Sequence, residues 1–97
     1  AKSFVRGKHN YKGWGKNRIV NELKFRNISS RIIETALKEI PEATYLENFH
    51  QLAEKHWNNI TERKGSKKNK KFVDFLLRKG YETSLIYEKL KELEVRG

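Results

Sequence analysis

The chain has 97 residues, 36% of them hydrophobic and 35% charged, and its 22 Lys and Arg against 12 Asp and Glu leave a formal net charge of +10 at pH 7. A chain of this length buries only about two-thirds of its unfolded surface, which leaves little room for a large enclosed active site, and without cysteine it has no disulfide framework, thiolate metal site or Cys nucleophile. Five Phe, four Tyr and two Trp are too many for a disordered tail, and the charge implies an anionic partner, either nucleic acid or an acidic protein groove.

The start, Ala1-Lys2-Ser3-Phe4-Val5-Arg6, lacks the apolar stretch of a secretory signal. No apolar run approaches the roughly 18 residues of a membrane span, so a cytoplasmic protein that does not bind membranes is expected. Residues from Ser3 to about Tyr11 read as the remnant of a helix ending at the break Gly13-Trp14-Gly15. Ile19, Val20 and Leu23, then Ile32, Ile33, Ala36, Leu37 and Ile40, fall at spacings of three and four and predict two short helices. The break between them is Asn27-Ile28-Ser29-Ser30. Asn27 can take the left-handed conformation that ends a helix, and Ser29 or Ser30 caps the next.

Pro41 precedes the longest stripe, Leu46, Phe49, Leu52, Ala53, His56, Trp57 and Ile60, a helix of about four turns. Thr44 and Glu47 have capping-box spacing at its start. Lys64 to Lys71 then reads as a cationic loop leading into a helix that closes at Gly80-Tyr81-Glu82-Thr83, with Thr83 as the cap of the last helix. Ile28 and Tyr81, each just past a break, are placed to tuck under the following helix.

The stretch from Lys16 to Ile40 matches the stretch from Asn69 to Leu93 at an offset of 53. Leu23 falls on Leu76, Val20 on Val73, Ile33 on Ile86, and Leu37-Lys38-Glu39 on Leu90-Lys91-Glu92. The expected fold is therefore all-α, an elongated array of tandem three-helix repeats. Residues 1–40 form a repeat incomplete at its N-terminus, and 41–97 a complete one.

No constellation for catalysis presents itself: there is no nucleophile with a base, no carboxylate pair and no phosphate loop. Gly13-Trp14-Gly15-Lys16 and Lys64-Gly65-Ser66-Lys67 lack the spacing of the last of these. His50 and His56 are six apart, on different helical faces, and Glu47-x-x-His50 stands without the second copy that a di-iron bundle needs. Neither enzyme activity, cofactor nor metal is expected.

The basic residues carry the signal. Residues 1–40 hold ten cations and three acids, 41–64 three and four, and 65–97 nine and five. Lys8, Lys12, Lys16 and Arg18 surround Tyr11 and Trp14; Lys67, Lys68, Lys70 and Lys71 lead into the matching helix; Arg26, Arg78 and Lys79 lie at the far ends. Cations near a helix C-terminus are favoured by its dipole and need no partner, whereas a run of them at a helix start opposes the dipole and suggests that a partner supplies anions. Trp14 is either a core anchor at a corner or an exposed stacking residue.

These residues resemble a family. Phe4-Val5-Arg6, Lys12-Gly13-Trp14-Gly15-Lys16-Asn17-Arg18-Ile19, Glu22-Leu23, Arg26, Ile28-Ser29 and Ile32 through Leu37 resemble the second repeat of RecX, the bacterial regulator of the RecA recombinase. Lys70-Lys71-Phe72, Phe75-Leu76, Arg78-Lys79-Gly80-Tyr81, Ile86 and Leu90 resemble its third. The chain departs from the pattern at Asn27, commonly glycine, and Lys79, frequently arginine. The resemblance implies a non-enzymatic modulator lying in the groove of the RecA–DNA filament and restraining strand exchange, ATP hydrolysis and co-protease activity, with DNA phosphates as a second contact; the chain is expected to be a monomer. It implies no catalytic residues, and it would make the first repeat of the pattern the absent one. The competing reading is a stand-alone basic helical module that binds nucleic acid. Against a base-reading helix-turn-helix stand Glu34, Glu39, Glu88 and Glu92 on the second helices of the pairs, which phosphates would repel.

Overall fold

A computed structural model describes residues 1–96. They form six helices in chain order: α1 (Lys2–Lys12), α2 (Lys16–Phe25), α3 (Ser30–Leu37), α4 (Glu42–Asn59), α5 (Ser66–Lys79) and α6 (Thr83–Val95). Packing follows the repeat: α1, α2 and α3 contact one another, as do α4, α5 and α6. The extents are 43 × 24 × 21 Å and the Cα radius of gyration is 14.5 Å, above the roughly 12.5 Å of a compact domain of this length. The molecule is therefore an elongated pair of three-helix units.

The apolar stripes face inward as their spacing requires. Ile19, Leu23, Ile33 and Ala36 are buried in the first unit, and Phe72, Leu76, Ile86 and Leu90 in the second. Each fully buried Phe of this core contributes about 2–3 kcal/mol. The matched corners also agree. Asn27 has φ 62° and Gly80 φ 96°, both left-handed, and Tyr81 is buried behind its corner while Ile28 packs against the core from a partly buried position. Ser29 caps α3 by accepting from the amide of Ile32.

Three sequence expectations are corrected. Thr44 does not cap α4, because the helix already begins at Glu42 behind Pro41, whose fixed φ suits a helix start. Thr83 is the first residue of α6, and Glu82 stands in the cap position. The expected loop from Lys64 to Lys71 is mostly helix: α5 begins at Ser66 behind Gly65, so its four lysines occupy the first two turns.

The two units are joined end to end. The N-terminus of α2 abuts the C-terminus of α5, where the amide of Gly15 donates to the carbonyl of Lys79 at 2.7 Å and that of Asn17 to the carbonyl of Gly80 at 2.9 Å. The amide between them, Lys16, donates to the Tyr45 hydroxyl at 2.9 Å, and that hydroxyl donates to Glu82 Oε1. Three amides that a helix start leaves without partners thus meet groups of the second unit, and the positive end of one helix dipole faces the negative end of another. Burial, and then the bond to Glu82, push the Tyr45 phenol upward; burial pushes Tyr81 up to about 12. Both rings stay neutral, stacked in a tilted pair 5.6 Å apart.

Candidate binding surface around the joint

The joint decides where the basic residues stand. Arg18, on the first turn of α2, donates from Nη1 to the carbonyl of Arg78 at 3.0 Å and lays its guanidinium 4.2 Å from the centre of the Trp14 ring. Lys79 Nζ donates to the carbonyl of Lys12 at 2.9 Å, closing the end of α1. Lys16 pairs with Glu42 at 3.2 Å and lies over the Tyr45 ring. These three cations hold the two units together, a role for which their sequence gave no distinguishing mark.

Trp14 is half-buried at the α1–α2 corner, edge-on to Phe4 and flanked by Lys8 at 4.8 Å as well as by Arg18. With Phe4, Lys8 and Arg18 against the indole and the ring packed on the core, it acts chiefly as the anchor of the corner. Arg26 pairs with Glu22 one turn earlier and covers the Phe4 ring.

In the second unit Lys68 sits over the Trp57 ring at 4.2 Å, Lys70 pairs with Asp74 at 2.8 Å, and Lys71 pairs with Glu62. The hydrogen bond from Lys71 holds the Glu62 carboxyl below the usual range. Among the described residues, Lys12, Lys67 and Arg78 carry their charge into solvent with no ion pair. Ion pairs this exposed are weak and exchange readily for a phosphate or a partner's carboxylate. Lys67, Lys68, Lys70 and Lys71 therefore remain a cationic cluster, now at the open end of α5. Lys8, Lys12 and Arg78 lie nearer the joint.

Sequence reasoning missed several residues. His9 is buried; its Nδ1 lies 2.9 Å from the carbonyl of Trp14 and its Nε2 3.0 Å from Asn48 Nδ2. A carbonyl only accepts, so Nδ1 donates to Trp14, while Nε2 faces the Asn48 side-chain amide. Lys89 is also buried, bonded to Glu54 at 2.7 Å and Glu92 at 2.9 Å, and Arg96 bonds both carboxylates. The alignment sets it on Ala36, which hides its role. Phe25 and Leu77 are 83% and 45% exposed. Phe25 was detectable, as an aromatic that falls off the Ile19, Val20 and Leu23 stripe.

No group of three or more potential ligands for a metal ion lies together among the described residues. No helix there is long and apolar enough to cross a membrane.

Comparison with known proteins accounts for both units. The second three-helix domain of RecX matches residues 1–37 and the third three-helix domain of RecX matches residues 43–90. The chain belongs to the RecX family. A "Regulatory protein RecX" from Vibrio campbellii is 41% identical over 81 residues, 84% of this chain and 50% of that protein. The chain thus spans about half the length of the curated relative it matches. No solved structure matches it. The family assignment agrees with the all-α tandem architecture and with the two units seen in the RecX chain's own internal repeat.

Proposed function

We propose that this RecX chain is a cytoplasmic, monomeric regulator that binds the RecA–DNA nucleoprotein filament and mostly inhibits its recombinase, ATPase and co-protease activities. The observation that carries the reading is the match of both units, in order, to consecutive RecX domains. The elongated shape supports it, since a rod of 43 Å has the length to reach along a filament groove. The charge supports it too: a +10 chain is drawn to an assembly that displays phosphates and acidic side chains. The residues proposed to make contact are Lys8, Lys12, Arg26, Lys67, Lys68, Lys70, Lys71 and Arg78, with Trp14, Lys16, Arg18 and Lys79 shaping the surface between them. Two separated patches on one rigid body gain affinity by effective concentration, each raising the local concentration of the other's partner.

The test is ATP hydrolysis by RecA on single-stranded DNA, titrated with this protein at two salt concentrations. Inhibition well below the concentration that coats free DNA is expected. DNA binding with no effect on hydrolysis would leave a basic nucleic-acid module in its place.

A further inference from the structure

A shallow groove runs beside the joint, walled on one side by Asn17, Asn21 and Phe25 of α2 and on the other by Leu77 and Arg78 at the end of α5. Phe25 and Leu77 contribute little to the core, since they are 83% and 45% exposed. Apolar side chains left in water on facing walls of one groove are what a partner's side chain would cover. The charges around them are unequal. Arg78 has no ion pair among the described residues, Arg18 lines the groove with Nη1 on the carbonyl of Arg78, and the one acid on the walls, Glu22, is already paired with Arg26.

We propose that this groove docks an acidic protein surface that presents an apolar side chain, which enters between Phe25 and Leu77 while its acidic neighbours meet Arg78 and Arg18. Aromatic and arginine side chains at the centre of a patch are the composition of interface hot spots. A single strand of nucleic acid fits less well: such sites stack successive bases on several aromatics, and here Phe25 is the one aromatic on the walls, facing an aliphatic residue and beside a carboxylate. Each unit supplies one wall, and the backbone bonds of the joint fix the spacing before the partner arrives, which limits the ordering that binding requires. The inference rests on the reading that the chain binds a RecA–DNA filament, and it assigns the protein side of that contact to the groove.

The experiment compares binding of the full chain, Phe25→Ser and Leu77→Ser to RecA filaments assembled on single-stranded DNA and to the same DNA bare, with thermal melts confirming that the variants fold. Each substitution is expected to weaken filament binding tenfold or more and to leave binding to bare DNA within twofold. Undiminished filament binding by Phe25→Ser, when the unaltered chain binds, overturns the groove and leaves the proposed function standing. A parallel loss on bare DNA overturns it in favour of a nucleic-acid site. An unaltered chain that ignores the filament removes the proposed function and this inference together.

Discussion

Gly15 and Gly80 meet backbone to backbone: a β-carbon on Gly15 would lie 2.5 Å from the carbonyl carbon of Gly80, and one on Gly80 would lie 2.5 Å from the amide nitrogen of Arg18. Two helix ends approach this closely only where both residues lack side chains. Gly80 carries a second constraint, since its φ of 96° is left-handed. Gly80→Ala therefore takes on about 1–2 kcal/mol for the conformation alone, and the collision with Arg18 adds to it. A fall in Tm of roughly 10 °C or more is expected by calorimetry or circular dichroism. Asn27→Gly, at the matching left-handed corner of the first unit, should stay within about 1 kcal/mol, because Asn tolerates that conformation. Equal effects at the two corners would refute the close-packed joint.

Tyr45 is the side chain that completes this joint, accepting from Lys16 and donating to Glu82. Tyr45→Phe keeps the ring in the core and leaves both partners unpaired in a part-buried place. A loss of about 1–3 kcal/mol is expected from chemical denaturation. If the variant were as stable as the parent, water would be replacing the hydroxyl without penalty.

Stability should fall in acid through a specific cluster. The hydrogen bond from buried Lys89, and then that from Arg96, hold Glu54 at about 2 against an ordinary 4.5; Glu92 is lowered chiefly by the same lysine. A carboxylate depressed in the folded state adds stability that is fully present above its unfolded value and is lost as pH falls through its folded one. The loss from Glu54 should thus run between about pH 4.5 and 2. Lys89→Met fills the same space without the charge and should flatten that limb in a series of melts from pH 7 to 2. Parallel curves for parent and variant would show that the cluster does not set the acid response.

The contacts around each cation sort the charge substitutions. Reversing Lys70 or Lys71 also breaks a pair with Asp74 or Glu62, so any loss of binding mixes with a local rearrangement. Lys12, Lys67 and Arg78 have no such pair among the described residues. Replacing each by Gln should leave Tm within about 2 °C, since surface changes away from caps and cores have small effects. Where a residue touches a phosphate, its replacement should reduce the slope of log affinity against log salt by about 1. An unchanged slope would remove that residue from any phosphate contact.

The repeat was legible in the sequence because each unit must bury the same faces: Leu23 and Leu76, or Ile33 and Ile86, match in position and in burial. The corners were legible because Asn27 and Gly80 punctuate them. The start of α5 was not. Its first turn has no acid, no side-chain cap and a run of lysines, every local signal arguing against a helix there. What stabilises it comes from elsewhere in the chain: Lys71 reaches Glu62, Asn69 reaches Glu94, and Lys68 lies on Trp57. The joint escaped for the same reason, since Gly15 and Lys79 bond across most of the chain and neither differs locally from an ordinary loop glycine or helix-end lysine. Of the basic residues singled out, their charge was plain and their occupation was not: whether Arg18 faces a partner or a carbonyl of Arg78 depends on a neighbour 60 positions away.

The bonds from Gly15 and Asn17 to the carbonyls of Lys79 and Gly80 join main-chain atoms only. Nothing in those two links titrates, and no mobile ion competes for them as it does for an exposed lysine. Ionic strength and mild acid should accordingly loosen this protein's hold on a partner long before they alter the angle between its two halves. The same links confine mutational freedom unevenly: side chains across the outer surface can drift in charge, while the meeting point of α2 and α5 admits almost no added atoms.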